Sequence, residues 1–216
     1  SIQKNPDVEV IVVDNASTDG SWKKLKTQKS KVKTTTQNLK LILNKDNLGF
    51  ARAVNQGIRA AHGEYILLLN PDTKVRLGAI EKMLAFAKSA PNAGVVGAQL
   101  LNPDGSVQSS VFNFPTLWGA IKEFWFGQKG VYSKYMPMGG RPVEIDSVVG
   151  AAFLITPEAR RRVGLLDERF FMYFEDLDYC RRVKQVGLKV YYLPQAQIVH
   201  YHGVSGKDHE IQQRRL

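Results

Sequence analysis

The chain has 216 residues, 44% of them hydrophobic and 23% charged, which suits one large globular domain with a sizeable core. Its formal net charge is +10, and it holds a single cysteine, Cys180. One cysteine excludes an internal disulfide and a cysteine zinc cluster and fits a reducing compartment, while the charge leaves nucleic acid, an anionic membrane surface or a polyanionic substrate as partners.

"VEVIVVDN", from Val8 to Asn15, is a short β-branched run ending in turn residues and predicts a buried strand. The lysines that follow (Lys23, Lys24, Lys26, Lys29, Lys31 and Lys33) and the later Arg160, Arg161 and Arg162 have no helix-turn-helix, zinc-finger or RNP pattern beside them. A solvated face is their plain reading, a membrane or phosphate role the next, and nucleic acid is set aside. "LKLILNK" predicts a second strand. "FARAVNQGIRAA" predicts a helix with Phe50, Val54, Ile58 and Ala61 on one face and a stop at Gly63. "EYILLL" predicts a third strand, covered on both sides, and Leu77 to Ser89 a second amphipathic helix closed by Ala90-Pro91. "AGVVGAQLL" is a fourth strand and "NPDG" a turn. The aromatic, glycine-rich stretch from Ser106 to Ile145 has no clean periodicity and predicts an inserted substrate-binding or partner-binding region. After it come a strand "SVVGAAFLI", a helix from Pro157 to about Val163, an acidic stretch, a helix to Gln185 and a strand "LKVYYL". No apolar run approaches the roughly 18 residues of a membrane span, and the first thirty residues contain no secretory core.

Strands alternating with helices predict an α/β fold with a mostly parallel sheet, whose ligands gather at the carboxyl ends of the strands. Asp14 and Asn15 end the first strand, and Asn70, Pro71 and Asp72 end the third. In "FFMYFEDLDYCRR", Glu175, Asp176 and Asp178 follow four aromatic rings. Acids there either favour the positive end of a helix or serve as a catalytic base whose pKa the aromatic surroundings raise.

"VIVVDNASTDGS", "NLGFARAVNQG", "LLLNPDT", "GAAFLIT", "GLLDERFFMYFEDLDYCRRVKQVG" and "IVHYHGVS", in this order, resemble the inverting family 2 glycosyltransferases, above all their bacterial rhamnosyltransferase-like branch. The resemblance runs from about Val8 to Ser205 and implies a GT-A fold. It implies a nucleotide-sugar-binding half at 1–105 and an acceptor-binding, catalytic-base half at 106–216, sharing one continuous sheet. It assigns Asp14 to the donor pyrimidine and, with Asn15, Arg52, Asn70 and Asp72, to the donor site. The bland alternatives are a turn-forming Asp14 and a surface Arg52. Asp72 stands where a DXD motif supplies a carboxylate to Mg²⁺ or Mn²⁺, although the first acid of that motif is here Asn70. His200 is the second metal candidate and His202 its reserve. Asp176 is the implied base, Glu175 its neighbouring acid, and Asp178 a helix support pairing with Arg181 or Arg182. No QXXRW motif of a processive synthase is present.

The implied donor is a nucleotide-diphosphate sugar, dTDP-rhamnose favoured, and the acceptor is lipid-linked or polysaccharide. The implied setting is cytoplasmic, at the inner membrane face. Phe112, Phe114, Trp118, Phe124, Trp125 and Phe126 with Lys122 and Lys129 suit acceptor or anionic-membrane contact, or else a satellite core under a long loop. Family members begin with a strand of the type "SIIIVTYN" and a helix, which this sequence lacks. The expectation is a gap beside "VEVIVVDN", with strand edges open to self-association or closed by sliding neighbours together. Two rivals remain. A sugar-phosphate nucleotidyltransferase would need a GGXGTRL-type loop, which is absent, and the other is a non-catalytic remnant that binds nucleotide, glycan or a partner chain.

Overall fold

The computed structural model describes residues 8–23, 27, 39–127 and 133–201. In chain order its elements are β1 (Val10–Asn15), β2 (Leu39–Asn44), α1 (Phe50–Ala60), β3 (Ile66–Leu69), β4 (Thr73–Val75), α2 (Ala79–Ser89) and β5 (Ala93–Leu101). They continue with β6 (Val111–Phe112), α3 (Leu117–Phe126), β7 (Val143–Ile145), β8 (Ser147–Val148), β9 (Ala152–Ile155), α4 (Pro157–Val163), α5 (Glu175–Gln185) and β10 (Lys189–His200).

The most apolar runs form the centre of the sheet. β5 and β10 pair in parallel, and alternate residues feed two cores, as strands covered on both faces must. Val95, Val190 and Tyr192 join one core under α1, α4 and α5, with Ile58, Ala159, Tyr179 and Val183. Val96, Leu193 and Ile198 join the other with Met83 and Ala87 of α2. The result is the expected helix–sheet–helix layering.

The larger sheet runs β3-β9-β5-β10-β4, with β7 also on β10. It is mixed, not mostly parallel. β9 enters from a turn at its far end and lies antiparallel between β3 and β5, while β4 and β7 are antiparallel to β10. Because β10 lies between β5 and β4, strands from both sides of residue 105 share this sheet.

β1 and β2 form a separate parallel pair. Among the described residues β1 bonds only to β2 and β3 only to β9, so neighbouring strands have not slid together. This explains two departures from expectation. Val10 to Val13 of β1 are half-buried, and only Ile66 of β3 is fully buried. α1 holds the two sheets together, packing Gly57 against Val13 and placing Ile58 in the main core.

"SVVGAAFLI" is two strands, not one. β8 stops at Val148, pairs with β6, and a turn through Gly150 and Ala151 precedes β9. β8 also crosses β5 so closely that a Cβ on Gly97 would lie 2.4 Å from Val148 Cγ2. Gly97→Ala should therefore lose about 1–3 kcal/mol of stability in urea unfolding, and adding Val148→Ala should restore part of it. Wild-type stability in the single variant would contradict this packing.

Candidate active site

The polar ends of β1 and β2 build one corner. Asp14 is buried, and its Oδ2 accepts from the Ser17 amide at 3.3 Å across a turn in which Ala16 has φ 66°. Asp14 lines an open cleft of about 300 Å³ with Trp22, Asn44 and Lys45. A ring, an acceptor and a cation there match the faces and edges of a nucleobase and its phosphates. Asn15 works differently. Its Oδ1 accepts from Asn44 Nδ2 and the Leu48 amide, and its Nδ2 donates to Asn47 Oδ1 and the Gly49 carbonyl. That side chain is saturated and shapes the loop leading into α1.

That loop meets the acidic motif directly. The Phe50 amide donates to the Phe171 carbonyl at 2.6 Å, and a Cβ on Gly49 (φ 86°) would sit 2.6 Å from the same oxygen. Only glycine allows this approach. Tyr173 and Phe174 both have φ 68°, a costly conformation for aromatic residues that typically marks a functional turn. They swing the chain into α5, whose first residue is Glu175. The acids thus do stand at a helix start, as the bland alternative had it.

Burial separates them. Glu175 is 5% exposed, its Oε2 has no hydrogen-bond partner among the described residues, and burial, helped by the Asp176 charge, pushes its pKa up to about 7. Burial also raises Asp176, against the Gly150 and Leu177 amides that donate to it at 3.0 and 2.8 Å and the nearby charge of Lys134. Asp178 accepts from Arg182 Nε at 2.8 Å, the helix-supporting pair expected of it. Phe171, Tyr173 and Phe174 are exposed beside these acids, an apolar shelf on which a ring could rest.

A third group forms where β3 and β10 end and β4 begins. Asp72 and His200 side chains are 7% and 5% exposed, with Nε2 3.4 Å from Asp72 Oδ1. Among the described residues the buried Oδ1 has no hydrogen-bond partner. The Tyr201 amide donates to the Asp72 carbonyl at 2.9 Å, securing the turn to the strand. An orphaned carboxylate oxygen beside an imidazole is the donor set a divalent cation takes. Two such residues do not close a site, and no cluster of three histidine, cysteine or acidic residues occurs among the described residues. His202 lies outside the described residues.

The last two groups are joined by consecutive residues. The Gly150 amide donates to Asp176 Oδ2, and the Ala151 carbonyl accepts from the Asn70 amide at 3.0 Å. Arg52 is not gathered in. It is exposed on α1, 3.7 Å from Glu168 Oε2, a surface pair. Asn55, on the same helix, went unnoticed in the sequence. It is fully buried, donates to the Leu166 carbonyl and Glu168, and accepts from the Leu166 amide, so it clamps the chain entering the acidic motif. A polar residue on an otherwise apolar helical repeat was the available signal. Trp22, Lys45 and Lys134 were also missed, because only folding brings them to their partners.

Arg160, Arg161 and Arg162 have internal partners. Arg160 reaches the Ile58, Ala61 and Gly63 carbonyls at the end of α1, Arg161 pairs with Glu158, and Arg162 donates to the Val186 carbonyl. α3 contrasts with them. Thr116 caps it, yet Trp118 and Trp125 are 67% and 81% exposed, and Leu117, Phe124 and Phe126 are exposed as well. Among the described residues, Phe114, outside the helix, packs on the main core.

The family model described as "Glycosyl transferase family 2" matches residues 1–143. Over 93% of its length the chain is 30% identical to N-acetylglucosaminyl-diphospho-decaprenol L-rhamnosyltransferase of Mycobacterium tuberculosis, covering 69% of that protein. It is 27% identical to rhamnosyltransferase WbbL of Escherichia coli K12, with 68% of the chain and 56% of the relative covered. Among solved structures, GalNAc-T7 with UDP, GalNAc and Mn²⁺ superposes with TM-score 0.70 at 17% identity, covering 95% of this chain and 40% of that one. The mannosyltransferase PcManGT of Pyrobaculum calidifontis, with GDP-Man and Mn²⁺, gives 0.62 at 19% identity, covering 96% and 51%. With this fold and this order of motifs, the chain belongs to glycosyl transferase family 2 and is a GT-A-type glycosyltransferase.

Proposed function

We propose that the chain moves a sugar, rhamnose favoured, with inversion from a nucleotide-diphosphate donor to a lipid-linked or polysaccharide acceptor in cell-surface glycan synthesis. The carrying observation is Asp176: a half-buried carboxylate, held by two backbone amides and raised in pKa, beside an exposed aromatic shelf. The rhamnosyltransferase relatives favour the sugar, and the decaprenol-linked name of one favours the acceptor.

In this reading residues 1–105 bind donor, with Asp14 and Trp22 on the base, and residues 106–216 bind acceptor. The acceptor hydroxyl gives its proton to Asp176 as its oxygen bonds to the anomeric carbon. The bond from that carbon to the phosphate oxygen breaks, and its electron pair leaves with the nucleoside diphosphate. A raised pKa makes the carboxylate a stronger acceptor for that proton. Asp72 and His200 would hold Mg²⁺ or Mn²⁺, which when bound neutralises the departing diphosphate. The edges of β1 and β3 that bond to no described strand offer room for a further strand, including one from a second copy.

Asp176→Asn should lower turnover by ~10²- to 10⁴-fold and leave donor affinity, measured by calorimetry, near wild type. Near-normal turnover would shift the role to Glu175. The latter makes its own pH prediction. Its folded pKa of about 7 lies above the ordinary 4.5. Between those values the folded chain keeps a proton that the unfolded chain has released, so stability falls as pH rises through this window. Glu175→Gln removes that cost and should melt higher than wild type at ~pH 8, by up to about 3 kcal/mol, but not at ~pH 4. A difference independent of pH would contradict the assignment.

We place the enzyme at the cytoplasmic membrane face through α3. No helix among the described residues is long and apolar enough to cross a membrane, so contact would be peripheral. Exposed Trp118 and Trp125 with Lys122 favour insertion at an anionic interface. Sedimentation with anionic liposomes should weaken in Trp118→Ala and Trp125→Ala. Equal binding by all three proteins would reject this surface.

A further inference from the structure

We propose that Lys134 is a specificity-determining residue for the acceptor, its ammonium group taking the phosphate that joins a sugar to its lipid carrier. The inference rests on the reading of a lipid-linked acceptor and deepens it, by naming the group that would tell such an acceptor from a plain glycan.

Lys134 stands at the foot of the excursion that carries α3. The chain leaves the core at Phe114, whose amide donates to Asp146 Oδ2 at 3.0 Å and whose ring packs on the main core. It returns at Tyr135. The Tyr135 amide donates to the Val111 carbonyl at 2.9 Å, and its own carbonyl accepts from the Ser110 and Val111 amides, both at 3.2 Å. Both feet of the excursion are thus fixed beside β6, and Lys134 Nζ lies 5.7 Å from the centre of the Phe112 ring on that strand. The same stretch leads to the candidate base. The Ser110 carbonyl accepts from the Val149 amide at 2.9 Å, and the next amide, that of Gly150, donates to Asp176. Lys134 is close enough to Asp176 for the two charges to act on each other.

The ammonium group is not spent on a carboxylate. The two oxygens of Asp176 accept from the Leu177 and Gly150 amides, and Lys134 forms no ion pair among the described residues. Lys184, on α5, differs. It holds Asp146 Oδ1 at 2.7 Å beside the Phe114 ring, so its charge is already met. Lys134 is exposed, yet desolvation by its surroundings lowers its pKa against the pull of Asp176. A cation with part of its hydration removed, steadied by an aromatic face, gains more from an incoming anion than a fully solvated one. Lysine meets phosphate as a point charge. A lipid-linked sugar presents a ring, then phosphate, then hydrocarbon. Followed outward from Asp176 and its aromatic shelf, the protein presents a ring platform, then the Lys134 ammonium, then the exposed apolar side chains of α3.

The test measures binding to the full chain by calorimetry, with no donor present. The probes are a short-chain prenyl-diphospho-N-acetylglucosamine, the matching prenyl glycoside without phosphate, and inorganic pyrophosphate. Wild type should bind the diphosphate-linked sugar ~10- to 100-fold more tightly than the glycoside, and pyrophosphate alone only weakly. Lys134→Met should remove that preference while leaving the glycoside and the nucleotide-sugar donor bound as in wild type. Lys134→Arg keeps the charge and should retain most of it. Because Lys134 is exposed, an unchanged melting temperature in both variants is expected. An undiminished preference in Lys134→Met would overturn the proposal, as would equal loss of both acceptors. Weakened donor binding in that variant would overturn it too, assigning the ammonium group to the donor diphosphate. Tight binding of both acceptors by wild type without preference would sink the role of Lys134 and leave the lipid-linked reading standing, whereas binding of neither would sink both.

Discussion

Three consecutive residues between β8 and β9 hold the candidate site together. A strand through "SVVGAAFLI" would have spent its backbone groups on its neighbours. Instead the chain leaves the sheet at Val149, whose amide goes to the Ser110 carbonyl at 2.9 Å. Gly150 then addresses Asp176, and Ala151 addresses Asn70. The acidic motif, the end of β3 and the segment after β5 are each tied to this break by one backbone hydrogen bond. A backbone group carries no rotamer entropy, so such a junction fixes its partners more tightly than side-chain pairs of similar strength. Gly150 also leaves space, since a Cβ there would lie 3.7 Å from that of Asp176 and 3.9 Å from the Phe50 ring.

Strain gathers around the same junction. Tyr173 and Phe174 are in the left-handed region immediately before the acids, and Gly49 presses on Phe171. Surrounding contacts have to maintain these conformations. Asn55 does so by fixing the chain at Leu166 and Glu168, and the clustered arginines do so by tying α1, α4 and the end of α5 together. Much of the charge that gives the sequence its basic character in this region therefore serves internal carbonyls and carboxylates, not a polyanionic partner.

What could be read from the sequence follows from the range of the interactions. β5, α4 and the end of α5 were predicted closely because local pattern and breaker residues define them. The Asp178–Arg182 pair was accessible for the same reason, being one helical turn apart. The break in "SVVGAAFLI" was hidden, since every residue there is compatible with a strand and only distant Ser110, Asp176 and Asn70 make leaving it favourable. The antiparallel course of β9 was equally invisible, because pairing direction is decided by where the chain re-enters the sheet. At the site, a family resemblance singled out Asp72, Asp176 and His200, whereas Lys134 depends on an interaction with Asp176 that only folding creates.

The bareness of α3 has an energetic consequence. Ten residues are too few for a helix to be secure in water without a covered face, even with a threonine cap and a left-handed glycine at its end. Its order and its covering are thus linked quantities: whatever shields Trp118 and Trp125 also supplies the free energy that fixes the backbone. Part of the attraction to any covering surface is consumed in ordering the helix, which lowers affinity and makes release easy.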